Sequence, residues 1–371
     1  MTHKRVFMFV GTTAELIKLV PVIRELNRRK IVFTIIASGQ NDIHFEEFAS
    51  DIGKPEIIYA VTPKGGGSSL LGFSLWAIRS FISLIVGLRN YFVGLHNGNT
   101  ILIVHGDTVS SLMGALLARY YHVKLVHIES GLRSFNFLEP FPEEICRYFI
   151  SSLVDIHFCP NKWAIKNLDN VSGEKINTHQ NTLIESFWLV IKRKCQHQFV
   201  RQLKNQKSKY FVLVTHRQEH VLFGKKKTTN MLLYILSHLP KDLQCIFLVH
   251  DLSVDFIHAL GQVIPGEITQ RMIRIERLPY ADFMHLLSGA EFAITDGGSN
   301  QEELYYLGKP CLLLRNKTER IEGLSTNVVL SNYDRNITLK FIKNYNKYKR
   351  RPINIGNRPS EIIVNSLFPR L

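Results

Sequence analysis

Four short apolar runs in the first half of the chain, Val6–Val10, Val32–Ala37, Ile101–Val104 and Lys124–His127, are rich in β-branched residues and bounded by Gly, Asp or Asn. Runs of this length without polar alternation are what strands buried on both faces look like, so they predict a parallel sheet. Helical periodicity falls between them, over Glu15–Arg29, Leu70–Phe92 and Ser110–Tyr121. Strand alternating with helix implies right-handed βαβ crossovers and a doubly wound sheet. After a break near Asn177–Leu183 the pattern restarts, with strands predicted at Tyr210–Thr215, Cys245–Val249, Ile273–Glu276, Phe292–Thr295 and Pro310–Leu314. The accompanying helices are predicted at Thr228–Leu239, Ser253–Val263, Ala281–Gly289 and Asn300–Leu307. The expected fold is therefore α/β, with two Rossmann-like domains facing across a cleft. The first covers residues 1–180 and the second 181–371, and the last helix, about 359–371, is expected to pack back on the first. Ligands of such sheets bind beyond the carboxyl ends of the strands.

Composition narrows the function. A hydrophobic fraction of 45% with 21% charged residues over 371 positions is that of a globular protein. The net charge of +15 favours an anionic ligand or surface. No RNA-binding signature and no alternation of Arg with aromatics appears, so nucleic acid is not the expected partner. The five cysteines form no CxxC pair, which argues against a disulfide framework and a zinc site and for a reducing cytosol. The N-terminus runs from a short basic stretch straight into a strand and lacks the features of a signal peptide, so export is not expected. Leu70–Leu95 is long and apolar but carries Arg79 and Arg89, and a spanning helix needs about 20 nearly uncharged residues. It is expected as a helix between strands, with a peripheral contact at the inner face of the membrane left open.

Three acids then stand out, Asp107 in HGDT, Glu129 in HIESG and Glu143 in FPEE, each at a strand end or a helix start. Asp107 alone is explained equally well as a helix N-cap, and Glu143 by the helix dipole. Three carboxylates on one edge are less easily explained so, because their mutual repulsion raises the pKa of at least one and suits it to general acid/base work. Gly11-Thr12-Thr13 opens the first helix with Lys18 in its second turn, placing free backbone N–H groups and a cation side by side for an anion. His216-Arg217 follows the first strand of the second half, a pairing that suits a phosphate oxygen. Gly297-Gly298-Ser299 forms a glycine turn between strand and helix, and Glu303 lies one turn into that helix, within reach of a ribose hydroxyl.

Read together, GTTAELIKLVPVIREL, VHGDTVSSL, HIESGLRS, FPEEICR, THRQE, GGSNQEELYYLGKP and RNKTERIEG resemble the non-hydrolysing UDP-N-acetylglucosamine 2-epimerases of glycosyltransferase-B architecture, in order and spacing. The resemblance implies elimination of UDP to a glycal and its re-addition with inversion at C2, in the service of surface polysaccharide synthesis. It implies acid/base roles for Asp107, Glu129 and Glu143 and places His216 near the diphosphate. It also implies substrate contacts for Thr13, Lys18, Arg133, Arg217, Gly297, Gly298, Ser299, Glu303 and Arg320, a homodimer, and no metal or nicotinamide cofactor. The chain departs from the family where GTRPEAIK reads GTTAELIK, where the glycine turn is shifted, and where the joint reads Gln180-Asn181-Thr182. These departures keep two alternatives in view: a glycosyltransferase of the same fold with a lipid-linked or polysaccharide acceptor, and a hydrolysing epimerase.

Overall fold

The computed structural model describes residues 5–60, 70–92, 100–215, 217, 219–220, 224–250 and 271–369. The chain divides into two compact units. The first comprises residues 1–133, 142–186 and 356–371, and the second residues 134–141 and 187–355.

The first unit is built on β1 (Arg5–Val10), α1 (Thr13–Arg28), β2 (Phe33–Ala37), α2 (Ala49–Ile52), β3 (Glu56–Tyr59), α3 (Leu70–Phe92), β4 (Thr100–His105) and α4 (Val109–Tyr120). It continues through β5 (Lys124–Ile128), α5 (Glu143–Leu153), β6 (Ile156–Cys159), α6 (Lys162–Lys166) and β7 (Glu174–Asn177), and α7 (Leu183–Ile191) carries the chain onward. All its strand pairs are parallel, in the order β3-β2-β1-β4-β5-β6-β7. Every crossover but one joins neighbouring strands, the exception being β3 to β4, which passes over β2 and β1, and because all the strands are parallel the loops that leave the carboxyl ends of β1, β4 and β5 share one edge. Helices α3, α4 and α5 cover one face, packing Trp76, Leu84, Leu88, Met113 and Ile150 against Phe7, Phe9, Leu102 and Val104. The approach of α4 is close enough that a Cβ on Gly114 would lie 2.9 Å from Phe9 and from Val104, which is why a glycine stands there.

The second unit contains α8 (Gln198–Asn205), β8 (Tyr210–Val214), α9 (Lys225–Ser237), β9 (Gln244–Leu248), β10 (Met272–Ile275), α10 (Tyr280–Gly289), β11 (Ala293–Thr295), α11 (Gly298–Leu307), β12 (Cys311–Leu313), β13 (Val328–Leu330) and α12 (Arg335–Asn344). Its parallel sheet has the order β10-β9-β8-β11-β12-β13. Phe211, Phe292 and Phe341 form the centre of its core, the first two rings stacked at 5.0 Å between centroids. The predicted helix Ser253–Val263 lies outside the described residues. The last helix, α13 (Pro359–Leu367), belongs to the first unit. It docks on α1, where Arg29 reaches Asn365 and the carbonyl of Phe368, while Ser360 donates through its N–H and hydroxyl to Glu185.

Two parallel α/β sheets of this kind are the paired Rossmann-like arrangement expected of the glycosyltransferase-B class. The four strands predicted in the first half and the five in the second are all present. β3, β6, β7 and β13 are additional.

Candidate active site

At the carboxyl edge of the first sheet, β4 delivers Asp107 and β5 delivers Glu129. The helix that follows Glu129, α5, begins with Glu143. Glu129 is buried, and Lys18 from the second turn of α1 donates to both of its oxygens, at 3.0 and 2.8 Å. Asn181 donates to the same carboxylate through its side-chain amide. The backbone of Glu129 is held at φ +66°, a conformation that costs a non-glycine residue roughly 1 kcal/mol or more and persists only where surrounding contacts enforce it. Asp107 accepts from Arg147 of α5 through Oδ2. Its Oδ1 has no hydrogen-bond partner among the described residues. Arg147 also donates to Glu144 at 3.0 Å, and Arg133 donates to Glu144 at 2.6 Å. Burial raises the pKa of the Cys146 thiol, and the charges of Asp107 and Glu143 add to that effect. A Cβ on Gly106 would stand 3.7 Å from Glu129 Oε1, which sets Glu129 against the residue preceding Asp107.

Beneath this edge lie three histidines on neighbouring strands, His105 of β4, His127 of β5 and His157 of β6. His127 donates from Nε2 to the carbonyl of Gly106 at 2.7 Å, so its proton is on that nitrogen. His157 donates to the carbonyl of Ser172 at 3.0 Å and accepts from the Ser130 hydroxyl at 2.8 Å. Burial is the main cause that lowers His105 to about 3 and His127 to about 4, so both are neutral at pH 7. His105 Nε2 lies 4.0 Å from Glu129 Oε2 without a hydrogen bond of its own, a neutral ring behind the ion pair.

The turn after β1 is occupied from within. Thr12 caps α1 and accepts from the Glu15 N–H, while the Glu15 carboxylate accepts from the N–H groups of Gly11 at 2.6 Å and Thr12 at 3.0 Å. Thr108 and Ser111 donate to its other oxygen at 2.5 and 2.9 Å. The two backbone donors expected to be free for an anion are therefore bonded to Glu15. Burial raises the Glu15 pKa against the opposing effect of these four hydrogen bonds. Thr13 faces another loop, accepting from the His44 N–H at 3.1 Å.

In the second unit the edge is organised differently. Asp296, fully buried after β11, accepts from the Arg217 N–H at 3.1 Å and from His220 at 3.0 Å. Gly297 and Gly298 open α11, and Ser299 is half-buried in its first turn. A Cβ on Gly298 would meet Glu319 Oε1 at 2.4 Å and Arg320 Nε at 2.9 Å. Arg320 is thus packed under the turn, donating to Glu302, whose other oxygen accepts from Tyr306 at 2.9 Å. Arg315, fully buried, donates to Glu319 at 2.8 Å through Nη1, while its Nε and Nη2 have no partner among the described residues. Glu303 is buried and accepts from Asn300 at 2.9 Å. His216 lies outside the described residues.

Residues 83–354 match the family model described as UDP-N-acetylglucosamine 2-epimerase. The chain is 30% identical to the UDP-N-acetylglucosamine 2-epimerase of Campylobacter jejuni, over 88% of this chain and 85% of that one. It is also 30% identical to the enzyme of that name from Methanococcus maripaludis, over 98% of both. Among solved structures, the UDP-GlcNAc 2-epimerase from Neisseria meningitidis bound to UDP-GlcNAc superposes with a TM-score of 0.81 at 25% identity, covering 99% of this chain and 100% of that one. The chain belongs to the UDP-N-acetylglucosamine 2-epimerase family.

For this member of the epimerase family, the first unit brings Lys18, Asp107, Glu129 and Glu143 to one edge and adds partners that were not anticipated there, Arg147, Glu144 and Asn181. The cap of α4 is Thr108, which accepts from the Ser111 N–H at 3.0 Å, so the alternative explanation of Asp107 as that helix's cap does not hold. Arg133 is a support for Glu144, and Arg320 is an interior residue of the second unit. The epimerase likeness favours an isomerase over the glycosyltransferase alternative.

Proposed function

We propose that this protein interconverts UDP-N-acetylglucosamine and its C2 epimer by eliminating UDP and adding it back. The observation that carries the reading is the gathering of Asp107, Glu129 and Lys18 at one sheet edge, beside the α5 start that bears Glu143, in a chain of the epimerase family. In the elimination, the C2 proton passes to a carboxylate, the C2–H electron pair becomes the C1–C2 double bond, and the C1–O pair leaves with UDP. Re-addition of UDP to C1 and of a proton to the opposite face of C2 completes the inversion.

C2–H is a weak carbon acid, so its removal requires a base already in place, and inversion requires proton donors on both faces. Asp107, with one oxygen unpartnered among the described residues, and Glu143 at the start of α5 are assigned those two positions. Glu129, whose oxygens both bind Lys18, is assigned the ion pair that fixes Lys18 and Asn181 beside them. Departing diphosphate needs donors, and His216, Arg217 and the N-terminal turn of α11 at Gly297, Gly298 and Ser299 are assigned to it, with Glu303 on the ribose. Thr13, engaged with the 42–44 loop, is assigned a lesser share of that contact. The solved Neisseria enzyme binds UDP-GlcNAc, which supports the same substrate here. We place the reaction in the cytoplasm, in keeping with five reduced cysteines of which four are buried, and assign a homodimer.

Incubation with UDP-GlcNAc in deuterium oxide, followed by proton NMR, tests the proposal. Deuterium at C2 with appearance of the epimeric UDP-sugar is expected, and Asp107→Asn and Glu143→Gln should each abolish it while UDP still binds. Absence of exchange in the parent protein with UDP bound overturns the reading.

A further inference from the structure

The stretch of the second unit that leads through α8 into β8 carries charge of one sign. Between Ser186 and Gln218 the sequence has eight Lys and Arg and no Asp or Glu, so no acid of this stretch neutralises its neighbours. Four of these cations, Arg193, Lys194, Arg201 and Lys204, line one hollow of about 400 Å³ together with Asn205 and His285. On α8, Val200 and Leu203 turn into the core, and Arg201 and Lys204, three residues apart, share the outer face. The chain before α8 is fastened to α10 at two points. Buried Asp282 accepts from the N–H groups of Gln196 at 2.6 Å and His197 at 3.2 Å, and His285 donates from Nε2 to the carbonyl of Arg193 at 2.7 Å. These bonds fix Arg193 and Lys194 at the hollow against the repulsion of like charges. Lys194, Arg201 and Lys204 form no ion pair among the described residues.

Both walls adjoin the amino end of β8. Helix α8 leads into that strand, and Tyr210, its first residue, donates to the Leu286 carbonyl of α10 at 2.8 Å. The glycine turn of α11 lies beyond the carboxyl end of the neighbouring β11, about the length of β8 away, or roughly 16 Å. The hollow is therefore separate from the edge assigned to the diphosphate. Four cations around a concave surface with no acid lining it focus a positive field there. One carboxylate could engage only part of that set, whereas a di- or triphosphate chain has oxygens and charge for all of it, and the two guanidinium forks match phosphate bidentately. No large apolar or aromatic side chain of residues 192–205 or of α10 is exposed, which argues against a membrane surface and against stacked bases as the partner.

We propose that this hollow is a second anion site, which binds the phosphate chain of a soluble di- or polyphosphate. This goes beyond the epimerase reading and does not depend on it.

Cys195 gives a local readout, because it lines the hollow and is half-buried, whereas the other four cysteines are buried. Burial raises its thiol to about 11, with Asp282 adding to the effect, so labelling of the full-length protein by iodoacetamide is followed at alkaline pH and located by mass spectrometry. Pyrophosphate is expected to slow the labelling of Cys195 saturably, and sulfate at the same ionic strength should need at least about ten times the concentration. Arg201→Glu combined with Lys204→Glu, at exposed positions on α8, should weaken the protection about tenfold or more, with melting temperature and C2 exchange unchanged. Arg201→Gln combined with Lys204→Gln serves if the charge reversal unsettles the fold, and is expected to weaken protection in the same direction. ADP in place of pyrophosphate distinguishes the sources of the phosphate chain: stronger protection by ADP assigns the hollow to a nucleotide, equal or weaker protection to a free polyphosphate. Labelling that is indifferent to pyrophosphate, equal protection by sulfate, or variants protected as well as the wild type overturn the proposal.

Discussion

The carboxyl edges of the two sheets are built on the same parallel topology and use their charges differently. In the first unit each acid of the edge is paired with a cation, Lys18 with Glu129, Arg147 with Asp107, Arg133 and Arg147 with Glu144, and Asp107 is the most exposed member of the set. In the second unit Arg315 and Arg320 are buried together with Glu319 and Glu302 beneath the α11 turn, and the less buried Arg217 reaches Glu319 at 3.6 Å. What that turn offers is backbone N–H groups, a fixed dipole that needs no titration. On the function proposed above, one edge would move protons and the other would hold an anion, the fold supplying the position and the charge inventory the chemistry.

The contrast breaks most visibly at Lys18. Lys18→Met leaves the Glu129 carboxylate buried without its cation, which should cost about 3–5 kcal/mol of stability and bring C2 exchange to background. Adding Glu129→Gln should restore much of the melting temperature and none of the exchange. A double variant as unstable as the single one would mean that Lys18 acts through packing and that the pair is not the unit proposed. Gly298→Ala probes the other edge. The new methyl meets Glu319 and Arg320, and neither can swing aside, because both are buried and ion-paired. We expect a loss of about 1–3 kcal/mol and weaker UDP binding by calorimetry, with the Lys18–Glu129 pair untouched. If UDP binds as before, the turn is not the anion seat.

How much of this was readable in advance depended on the range of the interaction. The central strands were legible because burial on both faces leaves uninterrupted apolar runs such as VFMFV and ILIV. β3 (EIIY) and β7 (EKIN) were missed because both are short, at the margins of the sheet and only partly buried, so they carry no such run. The acids announced themselves by their loops, whereas their partners did not: Lys18 and Glu129 are 111 residues apart, and nothing local pairs them. The occupation of the first turn by Glu15 was readable, since Thr12-Thr13-Ala14-Glu15 is a capping-box sequence. Reading the turn as open to an anion overlooked that the helix brings its own. Segment 134–141 belongs to the second unit because Glu139 accepts from the backbone of Asn316 at 2.7 Å and from its side chain at 3.0 Å, a contact no local pattern signals.

The finest distinction concerns what lies under the first edge. His105 and His127 are held neutral by burial at about 3 and about 4, against 6.5 for an exposed imidazole. The unfolded chain therefore binds more protons than the folded one as pH falls below 6.5, and stability that is present above that value is lost progressively toward pH 4. Glu15, raised by burial, works in the other direction, since its folded form takes up a proton before the unfolded one does. A plain melting curve against pH mixes the two, so the informative measurement is the difference between the wild type and His127→Asn at pH 7 and at pH 5. At pH 7 the variant should be less stable by about 1 kcal/mol, from the lost hydrogen bond to Gly106. At pH 5 the wild type carries the penalty of an imidazole that cannot protonate and the variant does not, so the deficit should shrink or reverse. A deficit equal at both pH values would mean that His127 protonates as readily in the folded protein as in the unfolded chain. The support beneath Asp107 and Glu129 would then be an ordinary wet surface, and the difference between the two edges would rest on their ion pairs alone.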